Sequence, residues 1–267
     1  MRWGWILGLW LLPWMAVAEI QEVKTMREVS EVMQALEPED LALFDIDMVL
    51  LQPDDPAFQM PNLTRHRTIV KRVLASIDAG QLDALFTLMA LRSQSLLVDG
   101  AVLGVLCDLR VRGVPAMALT ANFHGPFAEV SSLAEWKRTR LIQAGIDFAP
   151  LAPRKGEILF EKLASQRGYF PLYTNGLFFS NGSLCPKGAA LVAFLQTLDQ
   201  RPRRISFVDD RRENLDSMEA ALKEAFPEIA FEGLHYTGAN DYPSQPVTAD
   251  YFEARWKALL DEMYQLN

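Results

Sequence analysis

The stretch Leu41-Ala42-Leu43-Phe44-Asp45-Ile46-Asp47-Met48-Val49-Leu50 decides the fold. An apolar run ends in two carboxylates one residue apart. A short apolar run bounded by polar residues reads as a strand buried on both faces, the kind found in parallel sheets covered by helices. The last residues of such a strand open onto the C-terminal edge of the sheet, where open α/β folds place their ligands. Asp45 and Asp47 therefore stand where chemistry is done.

Working outward, three more stretches end or begin at the same kind of position. Val114 to Thr120 is a second apolar run, closing on a hydroxyl and followed by Asn122. Cys185-Pro186-Lys187-Gly188 precedes the amphipathic run Ala189 to Leu195, which places a lysine at the mouth of a helix. Ile205 to Val208 is a third apolar run, ending in Asp209-Asp210 and continuing to Asn214. In order, the chain supplies Asp-x-Asp, Thr, Lys and Asp-Asp.

That order suits phosphoryl transfer through an aspartyl phosphate. A carboxylate can act as covalent nucleophile, but its target is anionic, so positive charge has to stand between them. Magnesium bound by carboxylate and carbonyl oxygens supplies it. Lys187 and the Thr120 hydroxyl would hold the remaining phosphate oxygens, with Asn122 beside them, since the transition state asks mainly for positioning and charge stabilisation. Asp47 can protonate the leaving oxygen and then deprotonate the attacking water.

These motifs, in this order, resemble those of the haloacid dehalogenase-like (HAD) superfamily of phosphohydrolases, over essentially the whole chain after residue 18, and are similar above all to an exported bacterial branch of it. The resemblance implies Asp45 as nucleophile and Asp47 as general acid/base, Asp47 also lending its backbone carbonyl to the metal. It implies Thr120 and Lys187 as phosphate ligands and Asp209 with Asp210 as the magnesium-binding pair. Val49 fits the family pattern; Met48 replaces the small or polar residue more usual there. The implied fold is α/β, a three-layer Rossmann-like parallel sheet with a small helical cap inserted after the first motif. Residues 19–50 and 99–267 would form the core and residues 51–98 the cap.

Residues 1–18 read as a secretory signal peptide: Arg2 is the basic start, Trp3 to Val17 the apolar segment, and Ala16-Val17-Ala18 the small-residue cleavage site. The expected location is the periplasm or the exterior, with no stable membrane insertion after cleavage. Formal net charge is −8, and −9 without residues 1–18, whose one charge is Arg2. An acidic chain without a basic stripe is a poor nucleic-acid binder, and a small phosphorylated substrate fits better. Oligomeric state is left open. The two cysteines, Cys107 and Cys185, are expected to be buried apart, and the three histidines lack ligand spacing.

Elsewhere, Glu19 to Asp40 reads as an amphipathic helical lead-in through Val23, Met26, Val29 and Met33. Pro53, Pro56 and Pro61 suggest a hinge. Residues 62–98 have helical periodicity, with Arg65, His66, Arg67, Lys71 and Arg72 concentrating charge near their start. Phe127 to Gly145 reads as a helix anchored by Leu133, Trp136, Leu141 and Ile142, and Asn175-Gly176 between apolar runs signals a hairpin. Two other uses of similar parts are weighed. A receiver domain places its acid pair before the phosphorylated residue, the opposite order. A catalytically silent HAD-fold binding or effector protein is the stronger alternative, discriminated by metal-dependent phosphate release.

Overall fold

Along the run from Leu41 the side chains alternate between two cores, Leu41 and Leu43 facing one apolar cluster and Ala42 and Phe44 the other. The computed structural model describes residues 19–266; the proposed signal peptide lies outside the described residues. In chain order, β1 (Glu19–Val23), α1 (Met26–Met33) and β2 (Leu41–Phe44) are followed by β3 (Leu51–Pro53), α2 (Met60–Arg65), α3 (Arg67–Ala75), α4 (Leu82–Leu91) and β4 (Ser95–Leu97). Then come α5 (Val102–Arg112), β5 (Ala116–Thr120), α6 (Leu133–Gln143), β6 (Glu157–Leu159), β7 (Leu172–Thr174) and β8 (Leu177–Phe179). The chain closes with α7 (Lys187–Leu195), β9 (Arg204–Asp209), α8 (Arg212–Ala225), β10 (Ala230–Tyr236) and α9 (Ala249–Leu266).

Eight strands form one sheet in the order β1-β10-β9-β2-β5-β8-β7-β6. From β1 to β8 every neighbouring pair is parallel, and β7 runs antiparallel to both its neighbours. Helices α1, α5 and α6 cover one face through Met33, Leu109 and Leu141, and α7 and α8 cover the other through Leu191, Phe194 and Met218. Burying each such side chain stabilises the fold by about 1.5–3 kcal/mol. The architecture is thus mixed α/β, a mostly parallel central sheet between two helical layers. Asn175 and Gly176 take positive φ values of 45° and 89° to make the β7–β8 hairpin turn.

Several local readings are corrected. Glu19–Val23 is an edge strand beside β10, not the start of a helix, because Thr25 and Glu28 form a reciprocal cap that begins α1 at Met26. The proline-rich segment is not a break in structure: β3 pairs antiparallel with β4, and Gln59 Nε2 donates to the Pro53 carbonyl at 2.9 Å. The end of the expected helical region is therefore strand. Helix α6 starts at Leu133, where the Ser132 hydroxyl accepts from Glu135 N, and residues 127–132 precede it as loop. Ile142 is exposed and Cys107 is exposed; both cysteines are free thiols.

A third apolar cluster joins the insert to the end of the chain. Phe58, Leu85 and Leu88 pack with Phe252, Trp256 and Leu259 of α9 and with Phe123 and Leu133. Arg255 adds an ion pair to Asp55 at 2.8 Å. Residues 51–98 are thereby tied to α9 as well as to the sheet.

Candidate functional site

The sheet register brings the sequence motifs to one edge. Phe44 lies opposite Val208 on one side and Ala118 on the other, so Asp45, Asp209 and Thr120 follow at the ends of three adjacent parallel strands. Asp45 N donates to the Val208 carbonyl at 2.8 Å, and Asp45 Oδ1 accepts from Ile46 N at 2.7 Å. Lys187 enters from the first turn of α7. It can do so because Gly188 lets α7 lie against α8: a Cβ there would stand 2.4 Å from the Ser217 carbonyl oxygen.

Lys187 Nζ lies 2.8 Å from Asp45 Oδ1 and 2.6 Å from Asp209 Oδ2, and all three side chains are buried. Asp209 Oδ1 also accepts from Arg211 N at 2.8 Å and from Asn214 Nδ2 at 2.9 Å. Asp45, Asp209 and Asp210 each present an oxygen within 4.8 Å of the others. Burial pushes the Asp45 carboxyl up to about 7; Lys187 opposes this, and Asp209 and Asp47 add to it. Burial also raises Asp210 well above its ordinary value, with Asp45 and Asp209 reinforcing it. Lys187 is raised instead: burial opposes its charge, but Asp209 and Asp45 outweigh that. Three carboxylates with one buried cation leave negative charge that oxygen-seeking divalent cations such as magnesium would neutralise. The donor set fits such an ion.

Asp47 stands apart from this group. Its half-exposed carboxylate accepts from Lys137 Nζ at 2.8 Å, and Lys137 is itself buried, 5.5 Å from the Trp136 ring centre. Lys137 is the functional candidate that the motifs did not reveal. Its signal was in the helix: with Leu133, Ala134 and Leu141, it lies on the buried stripe of α6, where an unpaired lysine would be costly. Met48, between the two motif carboxylates and the next turn, has φ 62°, a left-handed conformation that costs a side-chain-bearing residue about 1–2 kcal/mol. Met48 N donates to the Leu51 carbonyl at 2.8 Å, which helps hold that turn.

A cavity of about 560 Å³ opens above the strand ends and takes in Asp45, Asp47, Thr120, Asn122, Lys137 and Asp210. Thr120 Oγ1 accepts from Asn122 N at 3.2 Å, and Asn122 Oδ1 is buried without a partner among the described residues. The basic cluster from Arg65 to Arg72 does not line this cavity: Arg65, Arg67, Lys71 and Arg72 are exposed, and His66 faces the Val247 carbonyl. His124 does not line the cavity either. It is buried, its Nε2 is 2.7 Å from the Phe170 carbonyl, and burial lowers its pKa.

Fold and site together define an α/β protein with an acidic, metal-compatible centre at the C-terminal edge of its sheet. The chain belongs to the family described as "Protein of unknown function (DUF2608)", which matches residues 22–265. An uncharacterized protein of Rickettsia bellii (strain RML369-C) is 27% identical over 157 residues, covering 58% of this chain and 52% of the relative. Another, from Rickettsia felis (strain ATCC VR-1525 / URRWXCal2), is 27% identical over 128 residues, covering 48% and 43%. A third, from Rickettsia prowazekii (strain Madrid E), is 28% identical over 124 residues, covering 46% and 41%. The chain spans about half the length of the curated relatives it matches. No solved structure matches it. Among the described residues, no helix is long and apolar enough to cross a membrane.

Proposed function

We propose that this protein is a HAD-type phosphomonoesterase that works through an aspartyl phosphate, an acyl phosphate on Asp45. The observation that carries the reading is the buried Asp45–Lys187–Asp209 group, with spacings of 2.8 and 2.6 Å, at the ends of adjacent parallel strands. Thr120 at the next strand end and Asp47 at the cavity mouth complete it. The order of the four motifs supports the same superfamily, and export, through residues 1–18, is part of the proposal. Residues 51–98 would then be the cap, held over the nucleophile by α9.

In the first half-reaction an Asp45 carboxylate oxygen attacks phosphorus, the bond to the leaving oxygen breaks, and Asp47 gives that oxygen its proton. In the second, Asp47 takes a proton from water, the water oxygen attacks phosphorus, and the P–O bond of the Asp45 acyl phosphate breaks to release phosphate and restore the Asp45 carboxylate. Lys187 and the Thr120 hydroxyl hold the equatorial oxygens, and Lys137 holds the Asp47 carboxylate that the first proton transfer leaves, until the second half-reaction reprotonates it. Magnesium on Asp45, Asp209 and Asp210 would supply the charge that keeps Asp45 ionised and screens it from the phosphoryl oxygens.

Two variants test the roles. Asp45→Asn should abolish turnover and covalent phosphate together. Asp47→Asn keeps an acceptor for Lys137 and keeps the nucleophile, so it should slow an alkyl phosphate by roughly 10²–10⁴-fold while slowing an activated aryl phosphate less. Intact mass after acid quench should then show phosphate trapped on Asp45. Wild-type turnover in Asp45→Asn, or no turnover of any ester by the wild-type protein with magnesium, would overturn the reading in favour of a silent binding protein.

A further inference from the structure

The walls of the cavity differ in kind from its floor. Its volume of about 560 Å³ lies in the range that encloses a drug-sized ligand. Met60, Leu63, Phe86, Met89, Trp136 and Trp256 line it above the carboxylates. Its cations among the described residues are Lys137 and Arg211, and each has an acid close by: Asp47 at 2.8 Å and Glu213 at 3.9 Å. Asp83 lines the same space, and burial raises its pKa. A second phosphate or a carboxylate on the substrate would find Lys137 already held by Asp47 and Arg211 exposed to solvent, where an ion pair is worth little, and the hydroxyls of a sugar would face a wall that is mainly hydrocarbon.

One polar side chain in that wall has no structural use. Gln52, in β3, is 3% exposed, and both its Nε2 and its Oε1 are buried without a hydrogen-bond partner. Leaving such groups unpaired costs about 1–3 kcal/mol each, a cost that leucine would not carry at this position. A donor and an acceptor side by side are the complement of another amide. Gln52 has the character of a group whose partner arrives with the ligand.

We propose that the substrate is the monophosphate of a large apolar alcohol or phenol that carries an amide-like edge, read by Gln52. This rests on the phosphomonoesterase reading above and excludes sugar phosphates and polyphosphates as preferred substrates. The test compares N-acetyl-phosphotyrosinamide, phenyl phosphate and glucose 6-phosphate as substrates of the full chain with magnesium. Wild-type kcat/KM should fall in that order. Gln52→Leu should lower the ratio of the first to the second by roughly tenfold and should raise Tm, because two orphaned polar atoms are removed. Glucose 6-phosphate turned over as well as phenyl phosphate, or a ratio unmoved in Gln52→Leu, overturns this inference while leaving the phosphatase reading intact.

A binding experiment separates the two failures. Trp136 and Trp256 are the tryptophans beyond residue 18, and both line the cavity. The dephosphorylated N-acetyltyrosinamide should quench their fluorescence, with weaker binding in Gln52→Leu and a smaller signal in Trp136→Phe. If no ester is hydrolysed but this binding is seen, the phosphatase reading falls and the ligand assignment stands. If neither is seen, both fall.

Discussion

Asp45, on the floor of the cavity, is interlocked with the buried Lys187 and Asp209, each placed by a strand end or a helix start, and Lys187 bridges the two carboxylates. The walls contributed by residues 51–98 and α9 hold no such interlocked ionic group; apart from side chains such as Gln52 and Asp83 they are mainly apolar, partly exposed at Phe86, and packed by a cluster of their own. The floor is fixed by electrostatics that fail together. The walls are fixed by burial, which tolerates exchange of one apolar residue for another. Chemistry common to many substrates suits the first, and discrimination among them suits the second.

The sharpest way to break this contrast is Lys187→Met. Removing one partner from a buried ionic group typically costs about 3–5 kcal/mol, and here it strands Asp45 and Asp209 at once. Turnover should be lost on every ester, and chemical denaturation at pH 7 should show that cost. At pH 5 the cost should shrink, because Asp45 is then protonated.

Acid titration of the metal-free protein should give the next largest effect. Asp45 holds its proton to about 7 in the folded chain against an ordinary 3.8. Between those values the folded state binds more protons than the unfolded one, so stability falls as pH rises across that window. The loss should be on the order of a few kcal/mol. Magnesium should restore it, with a Tm gain that grows from pH 4 to pH 7 and shrinks in Asp210→Asn. A gain independent of pH would detach the metal from these carboxylates.

Gly188→Ala should cost about 1–3 kcal/mol by overpacking α7 against α8 and should lower kcat on all esters alike, since it displaces Lys187. Phe86→Ala should mark the other end of the scale. With its side chain 42% exposed, the change in stability should stay within about 0.5 kcal/mol, while KM rises for bulky esters only. A uniform loss of kcat in Phe86→Ala would mean that the walls serve the chemistry as the floor does.

What could be read from the sequence follows the same division. Asp45, Thr120, Lys187 and Asp209 end or begin elements with strong apolar patterns, and parallel register alone brings them to one edge. Lys137 was hidden because its partner, Asp47, is ninety residues away in the chain, and no local pattern pairs them. Arg65, Arg67, Lys71 and Arg72 lie on the polar face of a helical pattern and are solvated, as most such faces are; periodicity marks that face without saying whether any part of it turns to a site. β1 and the start of α6 were misplaced although Thr25 with Glu28 and Ser132 with Glu135 carried the capping signal. Pro53 suggested a break, but a proline is tolerated in a two-stranded ribbon, where one edge needs no donor.

The pairing of β1 with β10 sets a schedule for folding. Glu19 lies opposite Glu232, so the first strand of the described chain closes a loop of roughly 200 residues, a contact of the slowest kind to form. Asp45 likewise has to wait for Asp209, which comes late in synthesis. The floor of the cavity cannot exist on a nascent or partly threaded chain, and until β1 docks, β10 presents an open edge to any other strand nearby.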